Sequence, residues 1–144
     1  MVKNQAVELR LCAFLKEYAA SDDLYWVPIT RLKKDMPVVA YDLDAIYRDN
    51  EISLLEKVFR QCDIMIVSTF QMDSREYFEK DEISALLYEK DKDGFNFPWT
   101  VETFYFDATE TWLVYVSHEG TISFTGELIA RTAEEIIPDR YLYR

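Results

Sequence analysis

The clearest pattern in the chain is VETFYFDATETWLVYVSHEGTISFTG, residues 101–126. Three short segments rich in aromatic and β-branched residues follow one another in it, which is the composition of strands. They are residues 101–106, 111–117 and 121–125. The connections between these segments are short enough to be turns between antiparallel neighbours. The stretch therefore predicts a three-stranded antiparallel meander.

The middle segment of the meander is apolar on both faces. Trp112, Val114 and Val116 alternate with Leu113 and Tyr115, so both sets need to be buried. This pattern predicts a strand in the centre of the sheet. Gly120 in the second connection and Gly126 at the end of the meander are suited to turns.

Outward from the meander, the periodicity of apolar residues predicts further elements. A helix should follow directly at 127–137 and end at Pro138. Upstream, the pattern predicts a helix at 3–20 and extended segments at 24–30 and 38–41. It then predicts a helix at 51–61 with Asn50 as its N-cap, followed by a buried strand at 64–70. A capping-box pattern at 73–76 predicts one helix, or two short helices, as far as about residue 88. Together they predict one α+β domain over residues 1–144, an antiparallel sheet with helices packed on one face.

Composition limits the function classes. The 144 residues include 16 Lys and Arg against 27 Asp and Glu, for a net charge of −11. Such a surface repels phosphate backbones and anionic lipids, so we expect neither nucleic acid nor a membrane as the partner. We expect a basic protein instead, because opposite charge steers association.

Two cysteines, Cys12 and Cys62, lie in apolar helical patterns far apart in the sequence. One disulfide could join them, but two reduced, buried thiols are the simpler interpretation. The first residues lack the uninterrupted apolar core of a signal peptide, and no apolar run approaches the length of a membrane span. These features predict a cytoplasmic protein.

Signals for catalysis and for cofactors are weak. The sequence has no glycine-rich phosphate loop, no HExxH and no GxSxG. Its single histidine, His118, lies in a predicted hairpin turn, and Cys62 lies on a core face where a thiol is unreactive. Residues 89–94 resemble the start of a calcium loop, but Thr100 stands where a bidentate Glu is required. We therefore expect a protein that is not an enzyme and that holds no metal or cofactor.

Two regions combine acids with residues suited to recognition. The segment 91–99 brings Asp91 and Asp93 close to the aromatic cluster that ends in Trp99, and aromatic side chains are common anchors at interfaces. The other region consists of the two connections between the strands of the meander, which carry Asp107 with Glu110 and His118 with Glu119. The predicted partner-binding residues are Asp91, Asp93, Trp99, Asp107, Glu110, His118 and Glu119.

The segments FYFD at 104–107 and WLVYVSHEGTISF at 112–124, followed by Gly126, resemble a strand–turn–strand block of small, mostly uncharacterised bacterial proteins. Some of these proteins are regarded as immunity proteins of toxin systems. The resemblance covers about 25 residues and implies a related fold. Together with the acidic net charge, the small size and the lack of catalytic motifs, it favours an immunity or antitoxin role.

Three hypotheses about function follow. The first is an acidic protein-binding module that neutralises a basic toxin or nuclease. The second is a structural or accessory domain without enzymatic activity that associates with itself as a homodimer. The third is a small-molecule binding domain with an aromatic pocket.

Overall fold

The computed structural model describes Leu9 and residues 36–64, 67–71, 76–80, 103–107, 109, 111–117 and 119–143. These residues form six strands, three α-helices and one short 3₁₀-helix. In chain order the elements are β1 (Val38–Asp42), α1 (Leu43–Arg48), α2 (Ser53–Gln61), β2 (Val67–Gln71), β3 (Glu76–Lys80), β4 (Thr103–Phe106), β5 (Leu113–Val116), β6 (Thr121–Thr125), α3 (Glu127–Ile136) and the 3₁₀-helix (Asp139–Tyr141).

The six strands form one antiparallel sheet in the order β1-β6-β5-β4-β2-β3. The predicted meander is confirmed as β4-β5-β6. Its middle strand, β5, lies inside the sheet, with Leu113 paired to Phe106 on one side and to Thr125 on the other. Val114 and Tyr115, which point to opposite faces, are both fully buried, as the two-sided apolar pattern requires.

The helices pack on one face of this sheet. Val114 pairs with Phe124 and with Tyr105, so these three side chains lie on the same face. They share one buried cluster with Leu55 of α2 and Ile129 of α3. The predicted α+β class, with helices on one face of an antiparallel sheet, is therefore confirmed.

The segment before α2 differs from the prediction. A short helix that the periodicity did not show, α1, begins after Asp42, whose Oδ1 accepts a hydrogen bond from the Ala45 N–H at 3.0 Å. Asn50 is not the N-cap of the next helix, because it lies in the turn between the helices with φ of +57°. The α2 helix begins at Ser53, and Ile52 stands at its N-cap.

The segment after α2 also differs. Asp63 ends the helix, as predicted, with a left-handed φ of +57°. The buried strand then begins at Val67 rather than at residue 64. The predicted helix from 73 to about 88 is wrong at its start, because Glu76–Lys80 is the strand β3 and pairs with β2. Strand pairing outweighs the capping-box pattern at this position.

The C-terminal segment returns to the sheet. After α3, Tyr141 is buried, and its hydroxyl donates a hydrogen bond to Asp49 Oδ2 at 2.7 Å. Leu142 then forms a bridge with Tyr41, and the Tyr143 N–H donates to the Ala40 carbonyl at 3.0 Å. The chain end thus covers part of the outer side of β1.

Several predictions lie outside the described residues. These are the extended segment 24–30, residues 81–88 of the third predicted helix, and the segment 91–99. From the predicted helix at 3–20, Leu9 is described; it is helical and exposed.

We predict that Gly126→Ala destabilises the fold more than Gly120→Ala. Both glycines have positive φ, which costs other residues about 1–3 kcal/mol. At Gly126 an added Cβ would also lie 2.5 Å from the Thr111 carbonyl oxygen, which belongs to the backbone. At Gly120 it would meet the side chain of Asp44, which can rotate away. Urea unfolding of both variants measures the difference, and equal losses of stability would contradict it.

We predict that Tyr141→Phe lowers the free energy of unfolding by about 1 kcal/mol, because it removes a hydrogen bond to a carboxylate that water can solvate again. Tyr143→Phe is the matched control, since Tyr143 is 47 % exposed. Thermal or urea unfolding of the two variants provides the comparison. A loss for Tyr143→Phe as large as that for Tyr141→Phe would contradict the assignment.

Candidate functional site

A cleft of about 350 Å³ opens where three segments of the chain meet. They are the end of α2 with the residues after it, the connection between β4 and β5, and the first turn of α3. The lining residues are Cys62, Asp63, Ile64, Asp107, Thr109, Thr111, Trp112, Glu127, Leu128 and Ile129.

The apolar part of the lining comes from the core. Trp112, Ile64 and Ile129 are all buried. The Trp112 ring packs edge-on against Phe59 of α2, with ring centroids 5.8 Å apart, which fixes its orientation. Leu128 is different, because 62 % of its surface is exposed. It adds an accessible apolar side chain to the lining.

Three carboxylates line the same cleft: Asp63, Asp107 and Glu127. Glu127 forms an ion pair with Arg131 one helical turn later, at 2.6 Å. Within the described part of the chain, Asp63 and Asp107 have no ion-pair partner. The cleft therefore carries two carboxylates whose charge no described cation balances.

The connection that carries Asp107 is held by local hydrogen bonds. Asp107 Oδ1 accepts from the Thr109 N–H at 2.9 Å and also from the Thr109 hydroxyl. The Thr109 hydroxyl lies 2.9 Å from that of Thr111. Such a turn occupies one carboxylate oxygen and orients the whole group. Asp107 is thereby positioned before any ligand arrives.

Cys62 contributes a thiol that is not activated. Its partial burial raises the thiol pKa, and the hydrogen bond with Thr132 opposes that shift only in part. The thiol is therefore protonated at neutral pH, whereas a nucleophile requires the thiolate. This agrees with the prediction that Cys62 is unreactive.

The Trp112 indole N–H is buried and has no hydrogen-bond acceptor among the described residues. A buried donor without an acceptor costs about 1–3 kcal/mol. The folded protein carries this cost at Trp112, a residue that lines the cleft.

The structure separates two of the predicted partner-binding residues. Asp107 lines the cleft, but Glu119 lies at the opposite end of β5, in the β5–β6 hairpin, where it is exposed. The four residues of β5 span about 13 Å, so one small ligand cannot contact both acids. Asp91, Asp93, Trp99, Glu110 and His118 lie outside the described residues.

Sequence analysis missed Asp63 as a site residue. It identified Asp63 only as the end of α2, which is correct. Its place in the same cleft as Asp107 depends on how α2 packs across the sheet, and no local pattern carries that information.

In the ranges that the structure describes, no three His, Cys, Asp or Glu side chains come together as a metal-binding group. The calcium-loop pattern at 89–94 lies outside these ranges.

No helix in the described part of the chain is long and apolar enough to cross a membrane.

Comparison of the chain with protein-family models, with curated proteins and with solved structures gave no match. The resemblance of the meander to immunity proteins therefore stays a prediction.

We predict that Cys62 reacts with iodoacetamide only at a higher pH than an unfolded cysteine does, because burial raises its thiol pKa. The measurement is the alkylation rate against pH in a Cys12→Ser background, with the same protein in concentrated urea as the control. The folded protein should show the higher midpoint. A folded midpoint at or below the unfolded one would contradict the described environment of Cys62.

Proposed function

We propose that this protein is a binding module for a basic protein and that the cleft beside Trp112 receives a cationic side chain of that partner. The observation that carries the proposal is the pair Asp63 and Asp107. These two carboxylates, without a described cation, line a cleft that also has buried apolar walls.

The chemistry of this lining favours an arginine or lysine side chain. Such side chains have an aliphatic stem that packs on apolar surface and a charged end that prefers carboxylates. Trp112 and Leu128 provide the apolar surface for the stem, and Asp63 and Asp107 provide acceptors for the charge. An anionic guest would instead meet two negative charges that no cation of the described residues balances.

The charge of the whole chain supports the same class of partner. A net charge of −11 attracts a basic protein over a distance of about one Debye length, roughly 8–10 Å at moderate salt. Inhibition of a basic toxin or nuclease, as an immunity protein, is the most concrete form of this function. The resemblance of residues 104–126 supports that form.

The location that we propose is the cytoplasm. Cys62 is a free thiol, and free, partly buried thiols are typical of reducing compartments. An immunity protein against an internal nuclease would act there.

A small cationic ligand is the second candidate for the cleft. A volume of about 350 Å³ lies at the lower end of the range of small-ligand pockets. If a small cationic ligand fills the cleft, the protein is a small-molecule binding domain. Tight binding of a small amine or guanidine, without a protein partner, would favour it.

The proposal predicts that Asp63→Asn with Asp107→Asn weakens capture of the partner by about tenfold or more, since charge-assisted hydrogen bonds contribute about 1.5–3 kcal/mol each. Asn keeps a side-chain oxygen, so the turn at Thr109 can persist. The measurement is a pull-down from the lysate of the organism that carries the gene, at low salt. Bound protein is quantified by mass spectrometry.

Two controls make the result specific. Glu134→Gln with Glu135→Gln changes the net charge by the same amount at two exposed positions that do not line the cleft, and it should bind nearly as well as the wild type. A salt step should release the partner, mostly through slower association. Equal losses for both double variants would assign the binding to overall charge and reject the cleft.

A further inference from the structure

The polar side chains of the β4–β5 connection form an ordered chain of hydrogen bonds at the cleft. The Thr109 hydroxyl donates to Asp107 Oδ1, because an ionised carboxylate has no proton to give. A hydroxyl carries a single proton, and that of Thr109 is used in this contact. In the 2.9 Å contact between Thr109 Oγ1 and Thr111 Oγ1, the donor is therefore Thr111. Both hydroxyl protons are used within the connection.

This chain of hydrogen bonds leaves acceptors for a ligand. Asp107 Oδ1 already accepts from the Thr109 N–H and from its hydroxyl, so Oδ2 is the oxygen that remains. Thr111 Oγ1 keeps its lone pairs but has no proton to offer. Asp63 adds two carboxylate oxygens from the end of α2, where its own N–H donates to the Arg60 carbonyl at 3.0 Å. A group with several donors and no acceptor fits these side chains best.

A guanidinium group meets this requirement better than an ammonium group does. It carries five N–H donors, spread over three nitrogens in one plane, and no acceptor. An ammonium group donates from one nitrogen, so all its acceptors must lie about 3 Å from a single point. The acceptors of the cleft come from two separate segments, the end of α2 and the β4–β5 connection. The spread donors of a guanidinium suit acceptors divided in this way.

The apolar part of the lining favours the same group. The exposed side chain of Leu128 and the ring of Trp112 line the cleft together with the carboxylates. A guanidinium is planar and weakly hydrated, so it packs against apolar and aromatic surface. An ammonium is compact and strongly hydrated, so it loses more when it leaves water for the same position.

We infer that the cleft selects arginine over lysine, with one guanidinium donating to Asp63 and to Asp107 Oδ2 and its aliphatic stem packed on Leu128. This inference rests on the proposed function, because it names the side chain that the cleft receives. A lysine in the same place makes fewer charge-assisted hydrogen bonds. The loss of one such bond corresponds to binding that is weaker by about tenfold or more.

The test titrates two small probes into the full chain, N-acetyl-arginine methylamide and N-acetyl-lysine methylamide. The probes have the same charge and the same backbone, so the net charge of the protein attracts both equally. Binding is followed through the backbone amide NMR signals of Thr109 and Leu128, up to about 50 mM probe, which extends past millimolar dissociation constants. We expect the arginine probe to bind about tenfold more tightly. The citrulline analogue, which has a similar shape without the charge, should not bind.

Two substitutions at the cleft test the assigned contacts. Thr111→Val removes one acceptor and no charge, so it should weaken the arginine probe more than the lysine probe. Asp63→Asn should weaken the arginine probe by about tenfold, because it removes one charge-assisted acceptor. Asp139→Asn is the matched control, since it makes the same change in charge at an exposed position outside the lining, and it should bind like the wild type. The NMR spectrum of each sample shows whether the variant is folded.

The outcomes separate this inference from the proposed function. Equal affinities for the arginine and lysine probes at the cleft would overturn the selection of arginine and leave the proposed function standing. Unchanged arginine binding in Asp63→Asn would overturn the assigned contacts. If neither cationic probe shifts the signals of Thr109 and Leu128, both the inference and the cationic site of the proposed function are wrong.

Discussion

Phe59 holds the helix α2 to the sheet. Its ring packs against Trp112, with centroids 5.8 Å apart, and against Phe124 of β6 at 6.4 Å. Phe124 in turn meets Tyr41 of β1 at 6.1 Å. All four rings are buried, and each contact of this kind adds about 0.5–1.5 kcal/mol beyond the burial of its area. One aromatic row therefore connects α2 with β1, β6 and the residue that precedes β5.

The cleft depends on this row. Trp112 is at once a member of the core and part of the cleft lining. Because Phe59 fixes α2 against Trp112, the end of α2 comes to lie beside the β4–β5 connection. That placement brings Asp63 and Asp107 to one opening although 43 residues separate them in the numbering. A substitution at Phe59 would alter the cleft through Trp112, although Phe59 itself does not line it.

The elements that could be predicted from sequence are those whose signals are local. The meander was predictable because its turns are short and its apolar residues alternate, and α3 because Gly126 and Pro138 bound it. The strand β3 was missed because its pairing with β2 is a tertiary contact that a local capping pattern cannot show. The helix α1 was missed because six residues give too little periodicity. Of the candidate site, Asp107 was predicted and Asp63 was not, since the packing of α2 decides its position.

Ionic strength acts on the proposed complex at two distances. The long-range attraction between this chain, which carries −11, and a basic partner weakens as salt screens it. A cationic group bound by Asp63 or Asp107 would lie within a few ångströms of the carboxylate, and a contact that short is screened less. Salt should therefore act mostly on the rate of association and less on the contacts inside the cleft.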